Sequence, residues 1–105
     1  MKPRLRRLRT ERNLGMPMPE PINALVGENV VVDTDAHLVY IGRLLAIGPD
    51  YISLGDVDVH SQHDGHSSRE IYIMDARKFG IRQNRLGATV LLSRIVSVSR
   101  LDEVT

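Results

Sequence analysis

A chain of 105 residues, 42% hydrophobic and 26% charged, suits one domain that buries its own core. It contains no cysteine, which excludes disulfides and thiolate chemistry, and no apolar run long enough to cross a membrane as a helix. The formal charge of +1 conceals an imbalance: residues 1–15 hold six basic side chains and one acidic, whereas the other ninety residues hold eight basic and twelve acidic.

Residues 1–21 read as a basic, proline-rich arm. Met1 to Arg9 has the charge of an export signal and Arg6-Arg7 invites a twin-arginine reading, but the polar stretch Thr10–Gly15 replaces the apolar segment such a signal needs. Export is therefore not expected, and a cytoplasmic location is. A solvated tail and a phosphate-contacting arm are the two readings of the charge. The abrupt change of composition at Met16 to Pro21 raises a third, a native start at Met16 or Met18. Pro17, Pro19 and Pro21 make an extended spacer.

The domain is expected over residues 22–105. Glu20 to Val26 reads as a short helical turn closed by Gly27. Asn29–Asp33 reads as a first strand, followed by the polar turn Thr34–Ala36 and a longer strand, His37–Ile47, with Gly42 marking a bend or bulge. After the turn Gly48–Asp50, the run Tyr51–Val59 alternates with a phase slip at Gly55, which predicts a second bulge. His60–Ser68 is polar and loop-like. Ser67 to Glu70 offers a capping box, and Glu70–Phe79 carries acid first, base last and Gly80 beyond, which are helix signals, although Ile71 and Ile73 also fit a strand. Ile81–Leu86 reads as a basic turn, Thr89–Leu92 and Ile95–Val98 as two short strands, and Leu101–Thr105 as a tail. The whole predicts a mainly β fold. It is a small barrel of five strongly bent antiparallel strands, with a short N-terminal helix and a helix-containing insertion, residues 60–86, between strands 3 and 4.

These residues carry a resemblance to the Sm-like superfamily, the LSm and Hfq proteins. Leu25, Gly27, Val30 and Val32, then Tyr40-Ile41-Gly42-Arg43-Leu44, then Leu54 and Asp56, resemble its first motif, and Val90, Leu92, Ile95 and Val98 its second. The likeness covers residues 22–59 and 87–101. It implies the barrel and assembly into rings, with Val90, Leu92 and Ile95 on the last strands as candidate interface residues. The uridine-binding members place an Asp and an Asn after the second strand and an Arg-Gly in the second motif. This chain has Gly48-Pro49-Asp50 and Leu92-Ser93-Arg94-Ile95 instead, without the Lys-His of the Hfq type. Only Tyr51, as a stacking group, and Arg94, as a phosphate contact, stand as candidates for that pocket.

Other chemistry has fewer supports. His60, His63 and His66 follow Asp56 and Asp58, a donor set suited to zinc or another divalent ion, and polar loops collect such residues without binding metal too. The pairs Asp33/Asp35 and Asp56/Asp58 read as solvated strand edges. No glycine pattern of a nucleophile elbow or a phosphate loop occurs, so an enzyme is not expected, and neither is a cofactor or a small-molecule substrate. Arg77, Lys78, Arg82 and Arg85 concentrate positive charge on the insertion, where they are candidate phosphate contacts or helix-end charges, and Tyr72 and Phe79 beside them read as core. The expected function is a non-enzymatic, homo-oligomeric binding protein with RNA as partner. The alternatives are a structural or protein-interaction barrel and a metal-binding module built on the three histidines; PRC-type and SH3-like adaptors share the strand order.

Overall fold

The computed structural model describes residues 21–61 and 69–105. A 3-10 turn, Ile22–Leu25, leads into β1 (Asn29–Thr34), β2 (Leu38–Ile47) and β3 (Tyr51–Ser61). The helix α1 (Arg69–Phe79) follows, then β4 (Arg85–Leu91), a 3-10 turn at Leu92–Arg94, β5 (Ile95–Arg100) and a last 3-10 turn at Leu101–Glu103. The strands form one antiparallel sheet in the order β4-β3-β2-β1-β5, the expected five-stranded small barrel. The helical reading of residues 20–26 is met by the 3-10 turn at Ile22–Leu25, and that of residues 70–79 by α1. The capping box at Ser67 and Ser68 lies outside the described residues.

Three irregularities bend the sheet. Ile41 pairs with Asp58 and Arg43 with Gly55, so Asp56 and Val57 together oppose the single residue Gly42. Asp56 takes the left-handed conformation, φ 52°, that such a bulge demands. The two strands approach so closely that a Cβ on Gly42 would lie 2.9 Å from the Gly55 carbonyl oxygen and 3.2 Å from Val57 Cγ2. Further along the same ladder Leu44 pairs with Leu54 and Ala46 with Ser53, leaving Leu45 as an extra residue. Between β1 and β5, Asp33 pairs with Ser97 and Thr34 with Ile95, so Val96 is the third extra residue.

The bulge at Asp56 reverses the phase of β3. Ile52 and Leu54 point into the barrel before it and Val57 after it, joining Leu25, Val30, Val32, Leu44 and Val90 in the inner core. A second core lies on the outside of the sheet, where Val31, Val39 and Ile41 meet Ile73 and Ala76 of α1 and Leu101 of the last turn. The insertion is thus a lid on the outer face. Burying each of these large aliphatic side chains stabilises the fold by about 1.5–3 kcal/mol.

Polar contacts fix the lid at both ends. Arg69 holds the Asp33 carboxylate through two nitrogens, one of them Nε at 2.7 Å, and Ser97 Oγ donates to the same carboxylate at 3.0 Å. The hydrogen bonds and charge of Asp33 raise the pKa of Arg69 above its usual value despite partial burial. At the other end Gly80, at φ 98°, donates its N–H to the Ala76 carbonyl at 2.9 Å and closes the helix, while Arg77 Nε reaches the Asp102 carbonyl at 3.1 Å.

The fourth strand begins earlier than its sequence suggests. Arg85 to Ala88, read as turn and connection, pair with Val57 to Leu54. Asn84 starts the strand: its backbone N–H donates to the Val57 carbonyl at 2.8 Å, and its side-chain amide accepts from Val59 N–H and donates to the Val59 carbonyl, each at 3.1 Å. One side chain therefore replaces a backbone ladder rung. Leu92, placed in a strand by its sequence, lies in the 3-10 turn that joins β4 to β5.

Candidate functional site

The phase reversal in β3 turns Asp58 and His60 outward beneath α1. The His60 ring stacks on Tyr72 with centroids 3.9 Å apart and planes 19° from parallel. Asp58 accepts a hydrogen bond from the Asn84 side chain at 3.1 Å. Tyr72, Asp75 and Phe79 stand at i, i+3 and i+7 on one face of the helix and, with Asp58 and Arg82, line a groove of about 500 Å³. The Tyr72 hydroxyl is buried beside Asp58, and burial, then that carboxylate, push its ionisation well above the usual tyrosine range. Phe79, read as core, is instead 78% exposed. The helix buries a stripe through Ile73 and Ala76, and Phe79 falls to the side of that stripe at the last turn.

The structure divides the candidate nucleic-acid contacts into two groups. Arg77, Lys78, Arg82 and Arg85 surround the end of α1 and the start of β4. Arg77 is engaged with Asp102, and Arg85 donates to Asn84 Oδ1 at 3.3 Å. Lys78 and Arg82 make no ion pair or hydrogen bond among the described residues. Tyr51 and Arg94 flank the turn Leu92–Arg94 instead. Tyr51 pairs with Leu91 and its ring covers Gly48, and the Asp50 carbonyl accepts from Leu92 N–H at 2.9 Å. Arg94 is held by Asp35 at 3.0 Å. Tyr51 and Asp58 are seven residues apart on β3, up to about 23 Å along a strand, so the two groups are separate surfaces.

Of the histidine cluster, His60 is the stacked residue just described, and His63 and His66 lie outside the described residues. Among the described residues no three histidine, aspartate or glutamate side chains are arranged to hold a metal. The acidic pairs are partnered: Asp33 with Arg69, Asp35 with Arg94, Asp56 with Arg43 at 3.7 Å, and Asp58 with Asn84.

The strands β4 and β5 end the sheet, and each leaves one edge without a partner strand among the described residues. Val90 belongs to the inner core, and Leu92 and Ile95 pack half-buried against it. The apolar side chains that these edge strands turn outward are Leu86, 84% exposed, Leu91, 53% exposed, and Val96, 68% exposed. Alternation along the strand hides Val90 and displays Leu91, and the bulge displays Val96, a consequence of register rather than of composition.

No family model matches the chain, and no curated protein sequence matches it. Solved structures do. An Sm protein of Pyrococcus abyssii in complex with a uridine heptamer is 13% identical, covers 77% of this chain with 97% of its own, and superposes with a TM-score of 0.53. A chain from the structure of the NatC complex bound to CoA is 15% identical, covers 81% of this chain with 88% of its own, and superposes with a TM-score of 0.52. At such identities the likeness defines the fold: a small Sm-like β-barrel, here with a helical insertion between β3 and β4.

Proposed function

We propose that this protein is a non-enzymatic Sm-like binding barrel that assembles with copies of itself through the free edges of β4 and β5 and binds RNA on its insertion. The observation that carries assembly is the pair of sheet edges, unpartnered among the described residues, that bear exposed Leu86, Leu91 and Val96. Unpaired strand edges are templates for another strand, and soluble proteins normally guard them with charge or proline unless they are used. RNA is supported by the uridine-bound barrel of similar fold and by Lys78 and Arg82, cations without a partner among the described residues. Gel shift of the full chain with single-stranded RNA across salt concentrations tests the ligand. The expected result is affinity falling steeply as salt rises, since phosphate contacts release counterions. Absence of binding at any salt overturns it.

A second reading, a barrel that serves protein assembly alone, is favoured by the similar chain found within the NatC complex and by the missing uridine-pocket residues at positions 48–50 and 92–95. It predicts an oligomer by light scattering with no RNA binding.

A further inference from the structure

The groove beside α1 combines three kinds of chemistry that the core does not use. Phe79 offers a flat apolar face to solvent. Asp75 is exposed and makes no ion pair or hydrogen bond among the described residues, so both carboxylate oxygens are available as acceptors. Arg82 adds a cation without a partner among the described residues. A volume of about 500 Å³ accommodates a nucleotide, since ligand sites run from about 300 to 1,000 Å³.

We propose that this groove binds a guanine base: the ring stacks on Phe79, its N1–H and N2–H₂ donate to the Asp75 carboxylate, and a neighbouring phosphate meets Arg82. Guanine is selected by donor arithmetic. Its edge presents two adjacent donors, N1–H and N2–H₂, the complement of a two-oxygen carboxylate. Uracil presents a single N–H between two carbonyls, and adenine and cytosine present one amino group beside a ring acceptor, so each sets an acceptor against a carboxylate oxygen or leaves one oxygen unmatched. Stacking alone is tolerant of base identity, and the polar edge supplies the choice.

The proposal rests on the RNA-binding reading and names the base within it, in a free nucleotide or in a single strand. The test titrates GMP, AMP, UMP and CMP into the full chain, followed by amide NMR, and repeats the comparison by gel shift with guanine-containing and all-uridine oligonucleotides. GMP is expected to move the resonances of residues 72–82 and to bind about tenfold more tightly than the others. Phe79→Ala and Asp75→Asn, both at exposed positions, are expected to weaken GMP binding about tenfold. Unmoved resonances over residues 72–82, or four nucleotides binding alike, overturn the proposal. RNA binding without base preference sinks the guanine site and leaves the RNA reading standing. GMP binding without oligonucleotide binding sustains the site with a free nucleotide as its ligand and removes the RNA reading.

Discussion

Gly42 shows how much a single side chain would disturb this barrel. Its missing Cβ leaves room for the Gly55 carbonyl 2.9 Å from where that atom would stand, and the obstacle is backbone, which cannot swing aside. Gly42→Ala is expected to destabilise the protein by about 1–3 kcal/mol, read as a lower urea midpoint at unchanged slope. Tyr72 makes a prediction in pH. Its ionisation is raised in the fold above the value of about 10 that it has in the unfolded chain. The folded state therefore holds its proton more tightly, and the stability this represents is complete below pH ~10 and lost as pH rises above it. Tyr72→Phe removes that loss, so the variant is expected to overtake the parent protein in thermal melts above pH ~10. Equal alkaline profiles would show that Tyr72 does not carry the effect. Gly42 was legible as a bend from its place inside an apolar alternation. The burial of the Tyr72 hydroxyl was not, because burial at a helix–sheet contact depends on where the helix lands.

Among the elements, α1 is the one whose type was written in its sequence and whose place was not. Glu70 early, Arg77 and Lys78 late and Gly80 beyond mark a helix by local electrostatics and capping alone. That it lies across Val31, Val39 and Ile41 follows from pairings between distant segments, chiefly Arg69 with Asp33. Ile73 sits at the centre of this contact with 2% of its surface exposed. Ile73→Ala is expected to cost about 2–4 kcal/mol and to increase hydrogen exchange in α1 before the barrel strands exchange. Uniform exchange across both would mean that lid and barrel unfold as one unit. The start of β4 escaped the sequence for a related reason. Asn84 performs a strand's hydrogen bonding with its side chain, and an asparagine followed by Arg85 and Gly87 has the composition of a turn.

At the scale of the molecule, the barrel was readable because alternation, two glycines and short turns are local signals that agree with one another. The exposed surface of the edge strands was less so. The resemblance named Val90, Leu92 and Ile95 as interface candidates, but these face the core and Leu91 and Val96 face out, a distinction set by register along β4 and by the bulge in β5. Leu91→Lys and Val96→Lys place charge on the two edges without touching the core. Each is expected to convert an oligomer into a folded monomer in light scattering at matched concentration. An unchanged mass for both variants would move the contact elsewhere.

Val30, Val31 and Val32 are all buried, the outer two in the barrel and the middle one under the lid. A strand greasy on both sides has no face left for water, so the helix that shelters it is not an ornament that can be trimmed away. Shortening the insertion to a tight turn would bare three aliphatic side chains at once and invite clumping. A viable shortened relative would have to replace Val31, Val39 and Ile41 with polar residues in the same step, which ties the fate of the excursion to residues thirty to forty positions earlier in the chain.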